Sequence, residues 1–287
     1  MVDSEQPPPP AVWPASSHGF ELVRSEYVSE SSSHVALYRH LASGAELMSV
    51  RNADENKTFG VTFCTPVHDS KGTPHILEHS VLCGSDRYPC KEPFVELMKG
   101  SLNTFLNAFT YPDRTCYPVA STNLRDYYNL VDVYLDAVFA PRARHDPDVL
   151  AQEGWHHDLA RPEGPLKIKG VVYNEMKGVY SSPDAVNARS ITQELFPDTT
   201  YHHDSGGQPS AISQLSFEEF RAFYSKHYHA RNARLWFSGD DPAERRLEIA
   251  DAYLSRFAAA DGERLSVEAQ PLWTRPRAVE LPYAASA

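Results

Sequence analysis

The sequence predicts an α+β domain, with helices packed on one face of a mixed, largely antiparallel sheet. Short β-like runs precede any helix, and strands and helices are then interspersed without regular β-α-β alternation. The glycine fingerprint of a nucleotide-binding doubly wound sheet is missing. At 287 residues, 41% of them apolar and 23% charged, the chain can bury a substantial core and has an ordinary globular composition.

Residues 1–17 are rich in Pro and Ser and lack an apolar period, so a disordered lead-in is expected there. From His34 the pattern reads as a strand, a turn at Ser43 and Gly44, a strand to Val50, and another strand over 58–65. A turn-rich connector, 66–74, is punctuated by Gly72 and Pro74, and a helix is expected to begin at about Pro74. Residues 83–92 read as loop, after which Pro93 opens a short helix that Gly100 closes. The β-like run 102–110 alternates poorly and ends in the turn Tyr111-Pro112-Asp113, which suits an edge strand. The clearest helix is 122–140, where Leu124, Tyr127, Val131, Tyr134, Leu135 and Val138 form one stripe that stops before Pro141.

Asp146 and Pro147 read as N-cap and first residue of a short helix, followed by a hairpin over 155–168 that turns at 162–165. Ser216 and Glu219 make a capping box for a helix through Tyr224. A strand follows at 233–237, and Asp241-Pro242 begins an amphipathic helix through Phe257. Periodicity is lost over 258–287. These limits give one domain over 18–260 and a linker over 261–287. For 170–180 the pattern leaves helix and strand open, because two glycines and several β-branched residues oppose the helix.

A formal net charge of −11 argues against a nucleic-acid surface and favours neutral or basic partners, with plain solubility as the simpler role of the charge. No apolar run has the length of a membrane span, so no membrane partner is expected. Cys64, Cys83, Cys90 and Cys116 include no C-x-x-C pair and are too sparse for a disulfide scaffold, which points to a reducing compartment. The N-terminus carries neither a signal-peptide apolar core nor an Arg-rich presequence.

The chemistry centres on His75-Ile76-Leu77-Glu78-His79, an H-x-x-E-H sequence that inverts the H-E-x-x-H signature of zinc peptidases. On a helix, residues four apart share one face, so both imidazoles reach a single ion and Glu78 borders the same face as a general base. Catalytic zinc takes three protein ligands and a water, so a third ligand is needed. Glu175, 96 positions after His79, is a candidate, although by residue chemistry alone it is one carboxylate among many. Glu153 or His157 could hold a ligand's far nitrogen, although no sequence pattern supports either. The adjacent pairs His156-His157 and His202-His203 diverge on any regular element and make poor second metal sites. Cys83 and Cys90 flank the loop after the motif, where inert thiols are the commoner outcome and redox sensitivity the rarer one.

Longer blocks carry a stronger signal. HILEHSVLCGS, KEPFVELMKGSLNTFLNAFTYPDRTCYPVAST, YYNLVDVYLDAVF, QEGWHH, GVVYNEMKGVYSSPD and FPDTTY resemble, in order, the presequence protease branch of the pitrilysin/insulinase inverzincins. The resemblance runs from about Phe20 to the helix that ends near Phe257. It implies zinc held by His75, His79 and Glu175, with Glu78 as base. It also implies that 102–110 is a substrate-binding edge strand, with Asn107 and Ala108 near the scissile bond of an unfolded peptide. Members of this branch are several-fold longer and close as two halves around a chamber. The resemblance thus covers only the first domain, and the Arg and Tyr supplied by the missing C-terminal half have no counterpart. The implied function is a zinc endopeptidase for short unfolded peptides such as cleaved targeting presequences, in the mitochondrial matrix or chloroplast stroma, or otherwise the cytoplasm. The alternative is an incompetent fragment or a non-catalytic assembly subunit, although such subunits lack the metal residues that are intact here.

Overall fold

The computed structural model describes residues 13–91, 93–258 and 264–280. The chain begins with β1 (Ser16–Ser17), β2 (Phe20–Val28), β3 (Ser33–His40), β4 (Glu46–Arg51) and β5 (Lys57–Cys64). Helices α1 (Thr73–Val81) and α2 (Pro93–Gly100) follow, then β6 (Asn103–Leu106), β7 (Phe109–Thr110), β8 (Arg114–Ser121) and α3 (Leu124–Phe139). Next come α4 (Pro147–Glu153), the small hairpin β9 (His156–Asp158) and β10 (Lys167–Lys169), α5 (Val171–Val179) and α6 (Pro183–Leu195). The last elements are α7 (Pro209–Ile212), α8 (Phe217–His227), β11 (Ala233–Gly239) and α9 (Ala243–Leu254).

The main sheet has the order β1-β2-β3-β4-β11-β5-β8-β6, with β7 also on β8. Every pairing is antiparallel except β11 with β4, so the sheet is mixed and largely antiparallel as the sequence predicts. Alternation sets its faces. In β5, Phe59, Val61 and Phe63 are buried while Thr58, Gly60 and Thr62 are half-buried on the other side. Phe63 meets Phe139 of α3 edge-on and stacks on Tyr228 just past α8, and Phe59 packs on Phe237 of β11, which places the helical layer on that single face.

The far end is fastened by charge. Arg246 of α9 is fully buried, and it donates to both oxygens of Asp241, to Ser49 Oγ and to the carbonyls of Val50 and Gly239. A buried guanidinium is tolerable only when its donors are met in this way. The network joins α9 to β4 and β11, where the one parallel pairing occurs.

Several expectations need correction. Of the expected lead-in, residues 1–12 lie outside the described residues, but residues 13–17 are ordered. Ser16 and Ser17 pair with β2, Trp13 packs on Tyr38, and the Tyr38 hydroxyl donates to Pro14 O. An aromatic anchor outweighs the Pro/Ser composition around it. Strand β2 was not expected, because its exposed face mixes charged residues with Val23 and Tyr27 and blurs the alternation. For 170–180, where the pattern leaves helix and strand open, residues 171–179 form the helix α5. Helix α6 was likewise not expected, although Ser182 caps it through Ala185 N and Pro183 opens it. The segment 264–280 lacks regular secondary structure and is tied down through Gln270 to Asp198, Trp273 to Leu195 O and Arg277 to Glu194.

His227, at the end of α8, is buried, stacks on Phe223 and bonds through Nδ1 to Phe223 O. Burial lowers its pKa from 6.5 to about 4. The unfolded chain then takes up a proton that the folded chain refuses. This stabilisation is complete above pH 6.5 and is lost as the pH falls from 6.5 toward about 4, a change worth about 3 kcal/mol at ~1.36 kcal/mol per pH unit. Urea denaturation across that window should show stability falling with acidity, and a flatter profile for His227→Gln.

Candidate metal centre

Helix α1 starts from Gly72 in the left-handed conformation, with Pro74 in its first turn. A Cβ on Gly72 would lie 2.7 Å from Gly207 Cα and 2.8 Å from Gly206 O, so only glycine lets the turn 204–207 approach the helix so closely. His75 and His79 follow one turn apart, their ring centres separated by 5.1 Å. The third donor arrives on α5. Gly170, just before it, packs against Gly154 at the end of α4, at a point where any side chain would collide with the Gly154 carbonyl. That contact sets α4 beside α5, and with them Glu153 and Glu175.

His75 Nε2 lies 3.7 Å from Glu175 Oε1, and His79 Nε2 lies 3.9 Å from Glu175 Oε2. One donor atom from each of the three residues falls within 4.8 Å of the others, and among the described residues no other His, Cys, Asp or Glu cluster does so. Ligands on a tetrahedral zinc with bonds of about 2.0–2.2 Å are about 3.3–3.6 Å apart, so the two imidazole–carboxylate distances stand a few tenths of an ångström wide of that geometry, while the three-donor set as a whole lies within 4.8 Å and must draw in around an ion.

The far ring nitrogens support the same fit. His75 Nδ1 is 3.0 Å from Gly206 O, which can only accept, so the proton sits on Nδ1 and Nε2 presents a lone pair. His79 Nδ1 is 3.4 Å from Glu153 Oε2, and Glu153 also accepts from Gln152 and from the Cys83 thiol. Burial by itself lowers the His79 pKa, but the Glu153 bond and the charges of Glu78, Glu153 and Glu175 outweigh it and leave the pKa raised. Burial raises the Glu153 pKa, but its bonds to His79 and Gln152 outweigh that and hold it low.

Glu78 is fixed by a hydroxyl from the strand opposite: Thr110 Oγ1 of β7 donates to Oε2 at 2.7 Å. Beside it opens a pocket of about 270 Å³ lined by Glu78, His79, Leu82, Phe94, Asn107 and Ala108, among others. Asn107 is exposed and Ala108 buried, at the break between β6 and β7. The Asn107 carboxamide oxygen accepts from Ala108 N, and its carbonyl accepts from the buried Tyr134 hydroxyl at 3.2 Å. Below lies the Tyr117–Tyr228 hydroxyl pair, where burial, with the Glu78 charge adding to it, drives the Tyr117 pKa up.

The structure therefore brings His75, His79, Glu175 and Glu78 together, with Asn107 and Ala108 at the adjoining pocket. His157 is elsewhere, its ring edge-on to Trp155. Sequence reasoning missed Thr110 and the carbonyl of Gly206. The first carried no motif, and the second is a backbone atom. Cys64, Cys83, Cys90 and Cys116 form no disulfide with one another.

The H-x-x-E-H helix thus faces the edge of a largely antiparallel sheet. Residues 67–146 match the family model for insulinase (peptidase family M16), residues 214–284 match that for the M16 inactive domain, and the chain belongs to this family. The second match includes β11, which lies in the same sheet as β5 and β8. The chain is 57% identical over 259 residues to presequence protease 1, chloroplastic/mitochondrial, of Arabidopsis thaliana, covering 90% of this chain and 24% of that protein. It is 50% identical to protein HypA of Clostridium perfringens over 83% of this chain and 25% of that one. For the mitochondrial presequence protease of Danio rerio the identity is 44%, over 83% and 23%. Crystalline pitrilysin shares the fold at a TM-score of 0.64 and 17% identity, over 88% of this chain and 26% of that one. The chain thus spans about a quarter of the length of the relatives it matches.

Protons and metal compete for His79. Because its pKa is raised above 6.5, zinc affinity should decline with falling pH earlier than an unperturbed imidazole would allow. Chelator competition between about pH 8 and about pH 5.5 measures this, and Glu153→Gln should weaken zinc binding by about 10–100-fold at neutral pH.

Proposed function

We propose that this chain is the metal-holding domain of a zinc endopeptidase that degrades short unfolded peptides, with His75, His79 and Glu175 as ligands and Glu78 as general base. The convergence of these four groups on one spot beside an edge strand carries the reading. Zinc bound there would supply Lewis-acid polarisation of a peptide carbonyl and lower the pKa of water to about 7. Glu78 takes the proton of the attacking water. Thr110 occupies Oε2 and leaves Oε1 for that transfer.

Strand β6 ends the sheet and can receive an extended peptide as an added strand, with Asn107 and Ala108 near the bond to be cut. Main-chain pairing gives affinity with little regard to sequence and excludes folded proteins, which seldom offer an unpaired strand. The net charge of −11 favours basic peptides. The names of the plant and fish relatives extend the substrates to cleaved presequences and the location to mitochondria or chloroplasts.

A domain spanning a quarter of its relatives also suits a second reading, in which turnover depends on polypeptide beyond it. Loss of one oxyanion donor costs about 10²–10³ in rate, so if polypeptide beyond this domain supplies two of them and an enclosing chamber, the domain by itself should be at least about three orders of magnitude slower. The purified chain should hold about one zinc ion by atomic emission. Glu175→Gln should hold much less, and Glu78→Gln as much. Peptide hydrolysis by the chain should rise strongly when the C-terminal remainder of a relative is supplied in trans, except with Glu78→Gln. A wild-type chain without zinc sinks the metal site, and full activity from the chain alone sinks the dependence on further polypeptide.

A further inference from the structure

We propose that Asp204 is a positioning residue for the metal site, coupling the ring of His75 to the helix that carries Glu175 through the turn 204–207. The inference rests on the metal reading above.

Asp204 Oδ1 accepts from Gly206 N at 3.0 Å, and Oδ2 accepts from the Tyr180 hydroxyl at 2.6 Å and pairs with Arg189 Nε at 3.5 Å. Tyr180 is the C-cap of α5, five residues beyond Glu175, and Arg189 belongs to α6. One carboxylate therefore ties both helices of the α5–α6 arm to a single turn. The turn is also fastened to the connector before α1: Asp204 N donates to Ser70 Oγ at 3.0 Å, and Gln208 N donates to Ser70 O at 2.8 Å.

Between these anchors lies Gly206, whose amide is held by Asp204 and whose carbonyl accepts from His75 Nδ1 at 3.0 Å. Met176, next to Glu175 on α5, closes the other side, its methyl 3.2 Å from where a Gly206 Cβ would stand. The carbonyl that fixes the tautomer and rotation of His75 is thus aimed by a peptide group that Asp204 grips. Through Tyr180 the same side chain limits how far α5, and with it Glu175, can swing. Glu175 is half-exposed and has few restraints of its own, so this tether matters more for it than for the buried His75. Both donors are positioned before the ion arrives, which reduces the ordering cost of binding.

If Asp204 merely stabilised the turn, its loss would lower the melting temperature and leave the zinc affinity of the folded protein alone. The test is zinc affinity by chelator competition, with melting of the metal-free chain followed by circular dichroism, for wild type, Asp204→Ala, Asp204→Asn and Tyr180→Phe. Asp204→Ala should bind zinc about 10–100-fold more weakly while folded, as removal of an outer-shell partner does elsewhere. Asp204→Asn keeps an acceptor for Gly206 N and should recover at least half of that loss on a logarithmic scale. A folded Asp204→Ala with a loss smaller than about fivefold, or an Asn variant that recovers nothing, overturns the proposal. Should Asp204→Ala fail to fold, Tyr180→Phe decides, since a loss of about threefold or more sustains the tether and a smaller one overturns it. A wild-type chain that binds no zinc overturns the metal reading itself, whereas tight wild-type binding that Asp204→Ala retains overturns only this inference.

Discussion

Two imidazoles on successive turns of a helix can serve one ion only if each ring is rotated to aim Nε2 at it, and rotation is governed by whatever holds the opposite nitrogen. Much of the domain serves that constraint. The Gly206 carbonyl holds one ring and the Glu153 carboxylate the other, and they come from segments 131 and 74 residues beyond their partners. Neither can reach α1 without close backbone packing. Gly72 admits the turn 204–207, and Gly170 brings α5 against α4 so that Glu153 and Glu175 flank the same imidazole. Side chains at either glycine would move a ring partner away by more than a hydrogen bond tolerates.

The sheet provides the fixed side. Strands β5 and β8 run antiparallel in register over eight residue pairs, and β7 leans on β8 with Thr110 directed at Glu78. Their buried faces hold α3 and Tyr228, and Tyr134 of α3 reaches back to the Asn107 carbonyl. Glu78 and the edge strand are consequently set by one slab of core. His75, His79 and Glu175 are carried by the helical layer packed on it. A distortion of either layer changes the distance between Glu78 and the three residues of the candidate site, and the sheet and α3 resist it through fully buried side chains such as Val119, Tyr117 and Leu130.

How much of this the sequence disclosed depends on whether a feature is periodic. The stripe Leu124 to Val138 gave α3 within two residues, and the order of β-like runs gave the sheet type. The H-x-x-E-H spacing located the two imidazoles because helical geometry alone brings residues four apart together. Glu175 was out of reach of such reasoning. Gly170 and Gly178 argue against the helix that carries it, and only tertiary contact with α4 settles the conformation. Resemblance to a known family, resting on long blocks of residues, supplied what periodicity could not. Nothing supplied Thr110 or Gly206, because a single hydroxyl and a backbone carbonyl leave no pattern. The Pro-rich start misled in the opposite direction, since Trp13 anchors residues that composition assigns to solvent.

Exposure separates what this domain can do alone from what it cannot. His75 is buried and His79 largely so, whereas Glu175 has 49% of its side chain in solvent and the pocket beside Glu78 lies open. Two unit charges about 4 Å apart interact by about 1 kcal/mol in water and about 4 kcal/mol at the intermediate dielectric near a protein surface, so shielding from solvent multiplies whatever a donor contributes to a developing negative charge. Metal binding depends on short contacts to three ligands and tolerates an open flank. Stabilising a transition state depends on preorganised dipoles in a place from which water is excluded, and an open flank removes that advantage. On the reading proposed above, the exposure of Glu175 and the open pocket beside Glu78 therefore suit a domain that assembles its ligands by itself and gains catalytic rate from a covering surface.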